Sequence, residues 1–92
     1  MPRFSTPQKR LLAAMLFYKQ DGLCAYCRKF IRLSYWPPDR TRHDAATIEH
    51  LRRRADGGKD TFDNTALVCL QCNVGRGVVD WLTYCSWIRK EF

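Results

Sequence analysis

The spacing of apolar residues predicts a helix near the beginning of the chain. Apolar side chains recur at intervals of three and four over residues 6–19, which is the period of one helix face. Thr6 followed by Pro7 is a typical helix start, and Asp21-Gly22 is a turn signal that ends the segment. The residues on the predicted face are Leu11, Leu12, Met15 and Leu16.

Three segments farther along have the composition of short strands. Residues 30–35 alternate imperfectly between apolar and polar side chains, residues 45–51 can extend, and residues 65–68 form a short apolar run. Residues 52–64 are polar and contain Gly57-Gly58, which favours a loop whose two ends return to the same place. We therefore expect the last two strands to be neighbours.

Residues 74–90 have the period of a final helix, although Gly75 and Gly77 weaken its beginning. The predicted apolar side of this helix is Val78, Leu82, Cys85 and Ile88. The aromatic residues are expected to pack in the core and around the cysteines; the tryptophans among them are Trp36, Trp81 and Trp87. These elements predict a single small α+β domain over residues 1–92.

Length and charge point to a polyanionic partner. A chain of 92 residues has a small hydrophobic core, for which a bound metal is a common source of added stability. Sixteen Lys and Arg against nine Asp and Glu give a net charge of +7, which favours nucleic acid over a merely solvated basic surface. The sequence contains no apolar run long enough for a signal peptide or a membrane span, so we expect a cytoplasmic protein.

The cysteines are arranged as a metal site. Cys24 and Cys27 form one C-x-x-C pair, and Cys69 and Cys72 form another, separated from the first by residues 28–68. Two such pairs without a thioredoxin-like pattern favour four thiolates on one structural zinc over a thiol redox centre or a set of disulfides. Cys85 is left over, and its apolar neighbours predict a buried, inert thiol.

The motifs between and beside the cysteine pairs occur in a characteristic order. They are Thr47-Ile48-Glu49-His50, Gly57-Gly58, Asn64 and Cys69-Leu70-Gln71-Cys72-Asn73. Together with the first pair they resemble the HNH endonuclease family, also called the ββα-metal or His-Me finger nucleases, in its zinc-bearing subgroup. The resemblance spans about residues 21–76, and it implies a zinc-stapled ββα-metal core with helices added at both ends.

The resemblance also implies roles for individual residues. His50 would be the general base that takes a proton from water, and Glu49 and Asn73 would hold a catalytic divalent ion, either Mg²⁺, Mn²⁺ or another metal. Asn64 matches the residue that braces the loop next to the base. Glu49 stands where the family more often has Asp, and Asn73 stands where it often has His, so the preferred metal is the property that these differences affect most.

Four arginines near these motifs are candidates for contacts with nucleic acid. Arg52, Arg53 and Arg54 directly follow the proposed base, and we expect some of them to contact phosphates, with a solvated turn as the alternative. Arg76 lies at the start of the predicted last helix and is expected to reach a substrate phosphate.

The resemblance therefore predicts a metal-dependent DNA endonuclease that nicks or cuts double strands, of phage or prokaryotic mobile-element type. DNA is the expected partner, and a protein partner, for instance in phage packaging, is compatible with the resemblance. The main alternative is a zinc-bound nucleic-acid-binding module whose hydrolytic site is silent.

Overall fold

The computed structural model describes residues 6–53, 56–59 and 61–90. Within them the chain forms three α-helices, one two-stranded sheet and two longer 3-10 turns. In chain order these elements are α1 (Thr6–Lys19), a turn at Pro37–Thr41, β1 (Ala46–His50), a turn at Phe62–Asn64, β2 (Thr65–Cys69), α2 (Leu70–Arg76) and α3 (Trp81–Arg89). The predicted α+β class is confirmed. None of the helices in these ranges is both long and apolar enough to cross a bilayer.

The strands β1 and β2 pair antiparallel, as expected for two neighbours joined by a returning loop. Ala46 lies opposite Cys69, and His50 lies opposite Thr65. Cys69 is both the last residue of β2 and the N-cap of α2, so the sheet runs into the helix without a loop. This ββα unit brings the acid–His dipeptide at the end of β1 next to the helix that carries Asn73.

The helix α1 has the predicted bounds, but only part of its predicted face is buried. Leu12 and Leu16 are buried, whereas Leu11 and Met15 are 63% and 47% exposed. Gln20, just after the helix, fixes it to β2: its Nε2 donates to the carbonyl of Leu67 at 2.8 Å, and its Oε1 accepts from the Leu67 N–H at 2.9 Å. The side chain thus supplies the hydrogen bonds that a third strand would make at this edge.

The strand predicted over residues 30–35 is wrong. This segment makes only isolated bridges, from Phe30 to Leu23 and from Arg32 to Ala45. The alternation is misleading because a strand needs a partner along its length, and the chain turns away into the Pro37–Thr41 turn after a single residue has paired with the start of β1.

The single helix predicted over residues 74–90 is also wrong, because this part of the chain forms two helices. The first, α2, already begins at Leu70, since the Cys69 side chain accepts a hydrogen bond from the Cys72 N–H and caps it. It ends at Arg76, where Gly77 takes a φ of 53°. Asp80 then caps α3, with its carboxylate accepting from the backbone N–H groups of residues 82 and 83.

The buried face of α3 differs from the predicted one. Tyr84 is buried and Trp81 and Cys85 are partly buried, while Leu82 and Ile88 are exposed. The predicted face includes Val78, which lies before the start of α3, so it does not belong to one continuous helix. Among the tryptophans, the expectation of core packing is wrong for Trp36 and Trp87, which are 65% and 53% exposed.

Candidate metal and hydrolytic site

The four paired cysteines converge on one point. The Sγ atoms of Cys24, Cys27, Cys69 and Cys72 all lie within 4.8 Å of one another. The Sγ atoms of Cys27 and Cys69 are 3.9 Å apart. A tetrahedral zinc with Zn–S bonds of about 2.3 Å places its sulfur ligands about 3.8 Å apart, so both the donor set and the spacing fit structural zinc.

Backbone N–H groups around the cluster favour the thiolate form of Cys24. Its Sγ accepts from the N–H groups of Tyr26 at 3.4 Å, Cys27 at 3.5 Å and Cys69 at 3.3 Å. Burial raises the pKa of this thiol, but these donors outweigh it and leave the pKa below its ordinary value. Without metal, burial raises the pKa of Cys69 to about 11 and also raises that of Cys72. Zinc binding therefore releases protons, and zinc affinity rises with pH.

The second group of candidate residues lies where α2 packs against β1. Thr47 and Glu49 project from the same face of the strand, and Asn73 and Arg76 are one helical turn apart. Asn73 Nδ2 donates to Thr47 Oγ1 at 3.0 Å, and Arg76 Nη1 lies 3.7 Å from Glu49 Oε2. The structure thus brings Glu49 and Asn73, the predicted ion ligands, to one strand–helix junction.

Glu49 is held in a largely enclosed position. Its side chain is 17% exposed. Burial raises the pKa of this carboxyl above its ordinary value, while the Arg76 charge and the His50 backbone N–H oppose that rise. Because ionising this buried carboxyl group is costly, a cation bound beside it would stabilise the ionised form.

His50 is the last residue of β1, so strand alternation turns its side chain away from the Glu49 face. It lines a cavity of about 510 Å³ between β1 and α1. Its backbone is fixed independently of its side chain, because its carbonyl accepts from Arg76 Nη1 at 2.9 Å. The predicted base and the predicted ion ligands are therefore adjacent along β1 but leave it in different directions.

Asn64 connects both ends of the loop that follows His50. Its Oδ1 accepts from the Arg52 N–H at 2.9 Å, and its Nδ2 donates to the carbonyls of Arg52 and Lys59 at 3.1 and 2.8 Å. Its own carbonyl accepts from the Leu51 N–H at 2.9 Å. These are the contacts that a loop-bracing residue needs.

The predicted phosphate-binding arginines fall in different environments. Arg52 is exposed, and its Nε donates to the carbonyl of Asp56 at 2.7 Å. Arg53 Nε pairs with the Asp56 carboxylate at 3.0 Å. Both line a second cavity of about 360 Å³ between this loop and the start of α3. Arg54 lies outside the described residues.

Arg76 does not face solvent, contrary to the position expected for a phosphate contact, since its side chain is 3% exposed. Its guanidinium donates to four oxygen atoms at 2.8–2.9 Å: the Val79 carbonyl, the Tyr26 hydroxyl, the His50 carbonyl and the Leu51 carbonyl. It therefore joins the first cysteine turn, the end of β1 and α2.

Tyr26 is a structural partner that the motif comparison does not single out. It lies between Cys24 and Cys27, is 1% exposed and meets the ring of Tyr84 edge-on at 5.4 Å. Burial raises the pKa of its hydroxyl, which keeps the group neutral beside Arg76. The sequence signal that could have suggested the contact between Tyr26 and Arg76 is an aromatic residue inside the first C-x-x-C pair, together with an arginine shortly after the second pair.

Comparison with known proteins places this site in a family. The family model described as HNH endonuclease matches residues 24–78, more than half of the chain, from the first cysteine to just beyond α2. No curated protein matches the sequence. The matched segment contains both cysteine pairs, the two strands and α2, whereas α1 and α3 lie outside it. The chain belongs to the HNH endonuclease family.

Proposed function

We propose that the protein is a metal-dependent endonuclease that hydrolyses phosphodiester bonds in DNA. The observation that carries the proposal is the strand–helix junction, where Asn73 contacts Thr47 and Arg76 contacts Glu49, with His50 the next residue along β1. The cysteine cluster is connected to this junction, since Cys69 caps α2 and Cys72 lies in its first turn. The net charge of +7 suits a polyanionic substrate.

In this proposal His50 is the general base. An imidazole is the side chain best suited to take a proton from water near neutral pH. The hydrogen bond from Arg76 to the His50 carbonyl fixes the backbone at His50, and the hydrogen bonds of Asn64 fix the loop that begins immediately after it. These contacts hold the backbone on both sides of the proposed base.

Glu49 and Asn73 would hold the divalent ion. Asn73 uses its Nδ2 on Thr47, which assigns its Oδ1 as the atom left for a cation. A carboxylate and a carboxamide oxygen suit a hard ion such as Mg²⁺ or Mn²⁺ and leave most of its coordination sites for water and phosphate. When bound, such an ion supplies positive charge to the phosphate oxygens and to the leaving oxygen.

The chain offers a matched test of the base, because its other histidine, His43, lies on the exposed loop before β1. With Mg²⁺ or Mn²⁺ present, we expect His50→Ala to cleave supercoiled plasmid about 10²–10⁴ times more slowly than the parent, while His43→Ala cleaves at the parent rate. Equal rates for the parent and His50→Ala, with folding verified by circular dichroism, would remove His50 from the reaction.

A second candidate function has one observation in its favour. Arg76 lies 3.7 Å from the Glu49 carboxylate and supplies a positive charge where the ion would bind. If that pairing outcompetes the ion, the protein is a zinc-stabilised DNA-binding module. In that case it binds duplex DNA but cleaves none at any concentration of Mg²⁺ or Mn²⁺.

A further inference from the structure

The cavity that His50 lines has a strongly basic wall. It lies between α1, residues 33–35 and β1, and its volume of about 510 Å³ is within the range of small-molecule binding sites, about 300–1,000 Å³. Lys9, Arg10 and Arg40 line it together with His50, and none of the described lining residues is acidic. The three cations belong to two separate parts of the chain, so the charge is assembled by the fold.

The cations remain available to an anion. Lys9, Arg10 and Arg40 are all exposed. The Arg10 guanidinium lies over the ring of Tyr35, 4.3 Å from its centroid, and such a contact orients the group without neutralising its charge. A wall of exposed cations with an oriented guanidinium is suited to phosphate groups.

The helix that carries two of these cations is firmly fixed to the catalytic sheet. Its residues Leu12, Ala13 and Leu16 are buried. The side chain of Gln20 binds both backbone groups of Leu67, the residue that pairs with Ile48 of β1. The backbone that carries Lys9 and Arg10 is therefore fixed relative to β1, which a mobile basic tail would not be.

We propose that this cavity is the subsite for substrate phosphates next to the scissile bond, with Lys9 and Arg40 as its phosphate contacts and Arg10 as the oriented guanidinium. The inference rests on the proposed nuclease function, since a base in the cavity wall must meet its substrate there. It assigns a role to α1, which lies outside the segment matched by the family, and to the turn that follows residues 33–35.

Two double variants of equal charge change test the subsite. Lys9→Gln/Arg40→Gln removes two cavity cations. Lys29→Gln/Lys90→Asn removes two exposed lysines that line neither described cavity, and Asn suits the left-handed conformation at position 90. Binding of each protein to a fluorescent DNA duplex is measured by anisotropy at several salt concentrations without added Mg²⁺ or Mn²⁺, after circular dichroism confirms folding.

The cavity variant is expected to bind about tenfold or more weakly at 0.1 M salt, and its slope of log affinity against log salt should flatten by about 2, because each lost phosphate contact removes about 0.9. The control should stay close to the parent. Equal losses in both variants, or no loss in either, overturn the subsite.

Plasmid cleavage by the parent, measured in parallel with Mg²⁺, reports on the proposed function separately. If the parent cleaves DNA but the two variants bind it equally well, the nuclease function stands and the subsite is refuted. If the parent does not cleave and affinity falls only in the cavity variant, the nuclease and the subsite beside a scissile bond are both refuted, and the cavity is a DNA phosphate-binding site without hydrolysis.

Discussion

At the scale of single residues, the least expected assignment is that of Arg76. A buried arginine and a phosphate-binding arginine are indistinguishable in a sequence, because the difference depends on which acceptors surround the guanidinium. Here those acceptors are two carbonyls at the end of β1, the Val79 carbonyl and the Tyr26 hydroxyl. His50, Glu49 and the cysteines are different, since their spacing in the chain makes them candidates before any fold is known.

Replacing Arg76 should therefore affect stability as well as activity. Arg76→Ala leaves buried oxygen atoms and the Glu49 carboxylate without their partner, which we expect to cost about 3–5 kcal/mol of unfolding free energy. Arg76→Lys keeps the charge but cannot reach four acceptors, so its stability should be intermediate. The measurement is denaturant unfolding of the zinc-loaded protein.

The matched control is Arg42→Ala. Arg42 pairs with Asp44 at 3.1 Å, but its side chain is 46% exposed, and such surface pairs contribute about 0–1 kcal/mol. If Arg76→Ala unfolds at the same denaturant concentration as Arg42→Ala, the hydrogen bonds of Arg76 at the end of β1 do not stabilise the fold.

At the scale of elements, the strands that carry the motifs were predictable and their surroundings were not. Apolar runs on both sides of a Gly-Gly loop indicate paired strands, and β1 and β2 have that pairing. Residues 30–35 have a similar pattern but no partner strand. The last helix is broken because Gly77 and the Asp80 cap stop one helix and start another, which overrides the helical period that runs across them.

The attachment of α1 to the sheet is testable at this scale. Gln20→Ala removes the acceptor of the Leu67 N–H and one of the two donors to the Leu67 carbonyl, which still accepts from the Ala25 N–H. Leaving the Leu67 N–H unpaired at a largely buried edge should cost about 1–3 kcal/mol. Gln71→Ala is the control, since this glutamine is exposed on α2. Thermal unfolding should separate the two variants by several degrees, and coincident transitions would mean that α1 is held by its apolar face alone.

At the scale of the whole molecule, the cysteine cluster connects parts that are distant in the chain. Its four members come from the turn after α1 and from the β2–α2 junction, and Arg89 of α3 donates to the carbonyls of Ala25 and Tyr26 within the first pair. The small core of this chain leaves much of its stability to such a staple.

Loss of zinc should accordingly unfold the protein. Cys69→Ser removes one ligand, and structural zinc contributes on the order of 10 kcal/mol in small domains, so the cooperative thermal transition should fall steeply or disappear. Cys85→Ser is the control, because Cys85 lies outside the cluster. Elemental analysis should find zinc in the parent and in Cys85→Ser. An unchanged transition and no zinc in any of the three would refute the staple.

The central claim is that neighbouring residues of β1 have different tasks, with Glu49 holding the ion and His50 taking the proton. It is tested by plasmid nicking against Mg²⁺ or Mn²⁺ concentration for Glu49→Ala and His50→Ala, with zinc content and folding verified. We predict that raised metal partly restores Glu49→Ala, because Asn73 and the substrate phosphate remain as ligands, and restores none of the activity of His50→Ala, whose loss of about 10²–10⁴-fold comes from the missing base. Parent-like cleavage by His50→Ala at any metal concentration would contradict the account.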